Sequence, residues 1–201
     1  MPENDYKSAT LTTYTTYADS FTQRFKEKDD IRIQESIHQF NSRLKQGRIL
    51  DLGCGPGHHM QHFLDLGYQV TGIDLCEPMI MMCHEKGLDA QVMDIEALAF
   101  PPQSFEGIWA VASLHHIPKA SFPQILESIK RIMCSKGLLF MGLQEGKGER
   151  YIPYKDGKRF YAFWEADELN ETIQPYFDLV DLKVLKGKEV TWLNGIYRNK
   201  N

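Results

Sequence analysis

The stretch Ile49-Leu50-Asp51-Leu52-Gly53-Cys54-Gly55-Pro56-Gly57 decides how the chain is read. A short apolar run breaks into three glycines at alternate positions, and a helical pattern, His58 to Leu66, follows at once. A strand that turns through glycines into a helix is the ligand corner of an open α/β sheet, where ligands lie outside the carboxyl ends of the strands. Glycine suits that corner because it accepts left-handed backbone and lets N–H groups approach a ligand with no Cβ in the way. Gly53, Gly55 and Gly57 would also serve as plain turn residues; the strand before them and the helix after favour the ligand corner.

Outward from this corner the texture repeats. Arg48–Leu52, Tyr68–Asp74, Asp89–Met93, Phe105–Ala112 and Gly137–Leu143 read as strands, with helices at His58–Leu66, Pro78–Lys86 and Phe122–Met133 between them. Strands alternating with helices of these lengths mean a parallel sheet covered on both faces. A further helix, Ala166–Tyr176, precedes two runs, Phe177–Leu185 and Val190–Tyr197, that read as an antiparallel edge hairpin about Gly187. Upstream, Tyr14, Tyr17, Phe21 and Phe25 form one helical stripe. Ile31, Ile33, Ile37, Phe40 and Leu44 form another that ends near Gly47, with a solvated turn at Lys26–Asp30. The expectation is a single domain over 1–201: an α/β three-layer sandwich with a seven-stranded, mostly parallel sheet whose last strand is antiparallel. Its Rossmann-like core is 48–201 and its N-terminal helical lid 1–47.

Composition narrows the function. With 42% hydrophobic and 25% charged residues the chain has ordinary globular usage. Its net charge of −4 is a poor match for non-specific nucleic-acid binding, although a local basic patch is compatible with it. No run approaches the ~18 apolar residues of a membrane span, and Met1–Asp5 does not open a secretory signal. Cys54, Cys76, Cys83 and Cys134 include no C-x-x-C pair, so a reduced, cytoplasmic setting is expected. His58 and His62, four apart with His59 beside them, have metal-ligand spacing but lack the glutamate of H-E-x-x-H, and are expected to face solvent.

The corner also discriminates between nucleotides. A dinucleotide loop reads G-x-G-x-x-G, and here His58 stands at the third glycine position. Asp51, two residues ahead of Gly53, repels a pyrophosphate and suits a ligand with a cationic end. S-adenosylmethionine carries an ammonium and a sulfonium and no phosphate. Asp74, twenty-one positions after Gly53, can accept from ribose hydroxyls in either cofactor. Asp94, after the third strand, can accept from an adenine amino group and tips the balance toward S-adenosylmethionine.

Four segments, Ile49–Gly57, Gly72–Met79, Val92–Phe100 and Phe105–Ile117, together resemble class I S-adenosylmethionine-dependent methyltransferases, the small "methyltransferase type 11" group. Met93-Asp94-Ile95-Glu96-Ala97-Leu98-Ala99-Phe100 resembles the family's acidic loop, and Leu114-His115-His116-Ile117 its segment after the fourth strand. Tyr14–Phe21 resembles its lid helix, with Thr15 where aspartate is usual and Phe21 where tyrosine is usual. The resemblance implies methyl transfer from S-adenosylmethionine. It implies that Asp51 and the Ala110 carbonyl meet the methionyl ammonium, and that Gly53, Cys54 and Gly55 line the methionine part. It further implies that Asp74 holds the ribose, that Leu75 and Met79 flank the adenine, and that Asp94 and the Ile95 N–H meet its edge, with Tyr14 contributing from the lid.

The acceptor side is less marked. His115, leaving the fourth strand, is the candidate base. The segment Gln144–Trp164 interleaves Tyr151, Tyr154, Phe160, Tyr161, Phe163 and Trp164 with Lys147, Arg150, Lys155, Lys158 and Arg159, which suits a planar or anionic acceptor. Arg159 and Tyr161 are expected on the pocket wall, with Tyr17 opposite. A small-molecule acceptor is the first reading. A tRNA or protein acceptor, or a methyltransferase-like module that binds without turnover, are the alternatives.

Overall fold

The computed structural model describes residues 5–27, 31–187 and 189–200. Its strands are β1 (Arg48–Leu52), β2 (Gln69–Asp74), β3 (Ala90–Val92), β4 (Phe105–Val111), β5 (Met133–Gln144), β6 (Glu149–Tyr154), β7 (Gly157–Ala162), β8 (Phe177–Lys186) and β9 (Thr191–Asn199). Its helices are α1 (Asp5–Thr16), α2 (Ala18–Glu27), α3 (Ile31–Leu44), α4 (His58–Asp65), α5 (Glu77–Glu85), α6 (Phe122–Ile132) and α7 (Ala166–Ile173). Seven strands form one sheet in the order β3-β2-β1-β4-β5-β9-β8. All pairs from β3 to β5 are parallel, and β9 runs antiparallel to both β5 and β8. The fold is thus the Rossmann-like sandwich expected, last strand included. Strand order reverses between β1 and β4, which places the crevice at Leu52 and Val111.

Alternation along each strand feeds two cores. On one face Leu50, Ile108, Leu139 and Met141 meet α6 and α7. α6 fits because Phe122, Ile125, Leu126 and Ile129 recur at helical spacing and are all buried. On the other face Ile49, Val70, Trp109 and Phe140 meet α3, α4 and α5, with the Trp109 indole stacked 4.0 Å from the Phe140 ring. α3, grouped with the lid at first sight, packs in this layer, where Phe40 stands edge-on to Phe63 and Trp109.

Three local expectations change. The N-terminal stripe is two helices with a break at Tyr17; the side chain of Phe25 and the turn at 28–30 lie outside the described residues. The left-handed residue after α3 is Lys45, at φ 65°, two positions before Gly47. The segment Gln144–Trp164 is a β-hairpin, β6 with β7, on its own two-stranded sheet. Its two-residue turn, Lys155-Asp156, is left-handed at Lys155, and Gly157 opens β7.

The hairpin docks on α1 through hydroxyls. The outer edge of β7 presents the N–H groups of Lys158 and Phe160. Thr13 Oγ1 accepts the first at 3.0 Å and Thr10 Oγ1 the second at 2.9 Å. Both threonines are buried. Opposite Lys158 sits Pro153, which has no N–H to place. Replacing Thr10 and Thr13 by valine leaves two backbone donors unmet, at a cost of about 1–3 kcal/mol each. Hydrogen exchange should then accelerate in α1 and β7 while the central strands keep their protection; unchanged exchange in α1 would contradict this docking.

Candidate functional site

Gly53, Gly55 and Gly57 all take positive φ, at 73°, 52° and 81°. The Gly53 and Cys54 N–H groups both donate to the Ile73 carbonyl, at 2.8 and 2.9 Å, so the loop bends over the end of β2. A Cβ on Gly53 would lie 2.4 Å from that of Ser113. Asp74 ties the loop to the next turn: its two carboxylate oxygens accept from Gly55 N–H at 3.0 Å and Cys76 N–H at 2.8 Å. Burial pushes its pKa up, against the pull of those backbone donors.

Asp51 lies beside this corner in β1, paired with Gly72 and Trp109. It is 1% exposed, and its Oδ2 has no hydrogen-bond partner. Burial drives its pKa well above the ordinary carboxylate value, and the neighbouring Cys83 and Asp74 add to the rise. Across the crevice β4 ends at Val111, so Ala110 lies one position inside the strand, paired with Met141. Ala112 then takes φ 57°, a left-handed conformation for a residue with a Cβ, and its N–H donates to Gly142. Ser113, next along, is buried with its hydroxyl unpartnered.

The outer wall comes from α1, α2 and α5. Met79 is buried with Cys76, Ala18 and Phe21, and Tyr14 and Tyr17 pack on that group. Leu75 is partly buried. Asp94 caps the helical turn Ile95–Ala97 through the Glu96 N–H at 2.9 Å and accepts from Lys7 Nζ at 2.6 Å. Lys7 also pairs with Glu96, which accepts from the Tyr6 hydroxyl at 2.7 Å. The acidic loop is therefore latched to α1, a contact the sequence reading did not include.

Arg159 and His116 meet in one buried cluster with Tyr14. Arg159 is 9% exposed, with its guanidinium 5.0–5.5 Å from the rings of Tyr14, Phe21, Tyr154 and Tyr161. Its Nη1 donates to the Tyr14 hydroxyl at 3.2 Å. Tyr14 Oη lies 2.9 Å from His116 Nε2, and His116 Nδ1 lies 2.6 Å from the Phe160 carbonyl. A carbonyl only accepts, so Nδ1 carries the proton and Nε2 receives that of Tyr14. Burial lowers the His116 pKa to about 4, which keeps this tautomer neutral. His115 is fully enclosed: both ring nitrogens are unpartnered, and the ring lies 4.6 Å from that of Tyr161. Burial and the nearby His116 and Arg159 hold its pKa well below the usual value. Tyr17 is brought against Tyr154 and Lys155.

Residues 50–141, from β1 into β5, match the family model described as a methyltransferase domain. The likeness to methyltransferase domains thus runs over a little under half of the chain. A malonyl-[acyl-carrier protein] O-methyltransferase from Erwinia billingiae is 33% identical over 84 residues, 38% of this chain and 31% of that protein. A mouse protein described as a probable tRNA methyltransferase 9B is 24% identical over 119 residues, 57% of this chain and 26% of that protein. The chain thus spans less than two thirds of the length of these curated relatives. The crystal structure of a Burkholderia thailandensis 1,6-didemethyltoxoflavin-N1-methyltransferase superposes with a TM-score of 0.83 at 19% identity, covering 100% of this chain and 92% of that one. That likeness is one of fold.

The buried Asp51 carboxyl has a consequence for stability against pH. A carboxyl whose pKa rises on folding favours the fold when protonated and opposes it as the pH climbs through the raised value. Asp51→Asn should therefore raise the melting temperature of the ligand-free protein at neutral pH. The gain should shrink as the pH falls toward the ordinary carboxylate range. Thermal melts across pH test this, and a variant less stable than the parent at neutral pH would contradict it.

Proposed function

We propose that the chain transfers the methyl group of S-adenosylmethionine to a small-molecule acceptor in a reducing, cytoplasmic setting. The observation that carries the reading is the buried Asp51 carboxyl with an oxygen no donor reaches, beside a loop of three left-handed glycines. Such a group fits a cation and repels a phosphate. Asp51 and the Ala110 carbonyl would hold the ammonium, and Gly53, Cys54 and Gly55 would line the chain that bears it. Asp74 would hold the ribose, since a carboxylate's four lone-pair sites outnumber the Gly55, Cys76 and Leu75 N–H groups that face it. Leu75 and Met79 would flank the adenine, with Asp94, Ile95 and Tyr14 at its margin.

The cofactor supplies an activated methyl on a good leaving group; the protein supplies alignment and exclusion of water. Arg159, Tyr161 and Tyr17 would line the acceptor side. For a protic acceptor, neutral His115 can take the proton on the one ring nitrogen that carries no hydrogen, since neither nitrogen is engaged elsewhere. The cysteines of the chain are all free, in keeping with the compartment proposed, and no helix among the described residues is long and apolar enough to cross a membrane.

The hairpin disfavours a nucleic-acid acceptor. Arg150 stacks 3.8 Å from the Phe163 ring, Lys158 4.2 Å from Tyr151 and Lys155 4.4 Å from Tyr17. These rings are covered by the chain's own cations and do not offer a stacking platform for bases.

S-adenosylhomocysteine should raise the melting temperature, with NAD and ATP without effect. Asp74→Ala should weaken its binding by about 1.5–3 kcal/mol, the cost of lost hydrogen bonds to a charged group. A larger shift with NAD, or full affinity in a folded Asp74 variant, would reject the assignment.

A further inference from the structure

The Arg159 guanidinium is buried without a counter-charge. Among the described residues it forms no ion pair, and its Nε, itself buried, has no hydrogen-bond partner. The carboxylates of the cleft are engaged elsewhere: Asp74 with the Gly55 and Cys76 N–H groups, Asp94 with Lys7 and the Glu96 N–H. The histidines beside it are held neutral by burial. The four surrounding rings offer π-faces, which attract a cation but accept no in-plane N–H. Tyr14 gives its proton to His116 and meets Arg159 with a lone pair, which satisfies Nη1 alone. Arginine presents its donors as a rigid fork, matched to the paired oxygens of a carboxylate or phosphate.

The residues of the cleft thus divide by charge. Unpartnered carboxyl character lies at the glycine corner, in Asp51. Unpartnered cationic character lies under the lid, in Arg159. A ligand pair that fits both is cationic at the first and anionic at the second.

We infer that the acceptor is a small molecule bearing an oxyanion, and that Arg159 receives this group through the Nε side of its guanidinium. The inference rests on the methyl-transfer reading and names its substrate class. A neutral acceptor of the same shape would leave the buried fork unmet, and that penalty would make Arg159 a determinant of specificity. Its place on β7, fastened to α1 by Thr10 and Thr13, holds the fork against the lid.

The test is calorimetry on the full chain saturated with S-adenosylhomocysteine, titrated with benzoate, its neutral isostere benzamide, and inorganic phosphate. Benzoate, phosphate or both should bind at least tenfold tighter than benzamide, and which anion is preferred separates a planar from a tetrahedral oxyanion. Arg159→Gln should abolish the preference and leave S-adenosylhomocysteine affinity within about twofold, while Arg159→Lys should keep part of it. Should either variant fail to fold, the Arg159 Nε–H resonance of the unaltered protein gives the answer, moving on addition of the anion and not of benzamide. Neither anion tighter than benzamide, a preference that survives Arg159→Gln, or an unmoved resonance would overturn the inference. Failure to bind S-adenosylhomocysteine at all would instead overturn the methyl-transfer reading beneath it.

Discussion

A carboxyl group on an inner strand of the sheet, almost fully buried, with one oxygen that no donor reaches, is a costly thing to fold around. An ionised carboxylate without a partner in such a place is opposed by several kcal/mol. The protein meets that constraint by holding Asp51 toward its neutral form and by leaving the space next to it backbone-lined. The left-handed glycines, the close approach of Ser113 to Gly53, and the strained Ala112 all belong to the crevice where strand order reverses.

The lid side is built on a different principle. α1 has almost no apolar stripe, and the two residues it buries are threonines. It is held by directed bonds: Thr10 and Thr13 to the edge of β7, Lys7 to Asp94, Tyr6 to Glu96 and Tyr14 to His116. One helix therefore joins the acidic loop on the glycine side of the cleft to the hairpin that carries Arg159.

Those two principles explain how much of the molecule could be read from its sequence. Strands and helices of the sandwich announce themselves by apolar periodicity, and the Ile49–Gly57 corner by glycine spacing, because both record burial and backbone conformation locally. The burial of Asp51 follows from its place in β1, a strand flanked on both sides. The hairpin was not legible, because its charged and aromatic residues blur the alternation of β6 and β7 and its turn pair, Lys155-Asp156, is not a glycine turn. The fastening of α1 could not be read at all: a threonine that caps a distant strand edge looks like any other helical threonine. His116 lies between Tyr14 and Phe160, a bridge made only by the docking of the hairpin.

The central claim is that Asp51 waits for a cation, and proton release measures it directly. Binding of S-adenosylhomocysteine is followed calorimetrically, over about pH 5 to 8, in buffers of differing ionisation enthalpy. If the ammonium lands on Asp51, the carboxyl gives up its proton on binding, and the observed enthalpy tracks the buffer in the parent protein but not in Asp51→Asn. An enthalpy independent of buffer across that range, or the same proton release in the asparagine variant, would contradict the account.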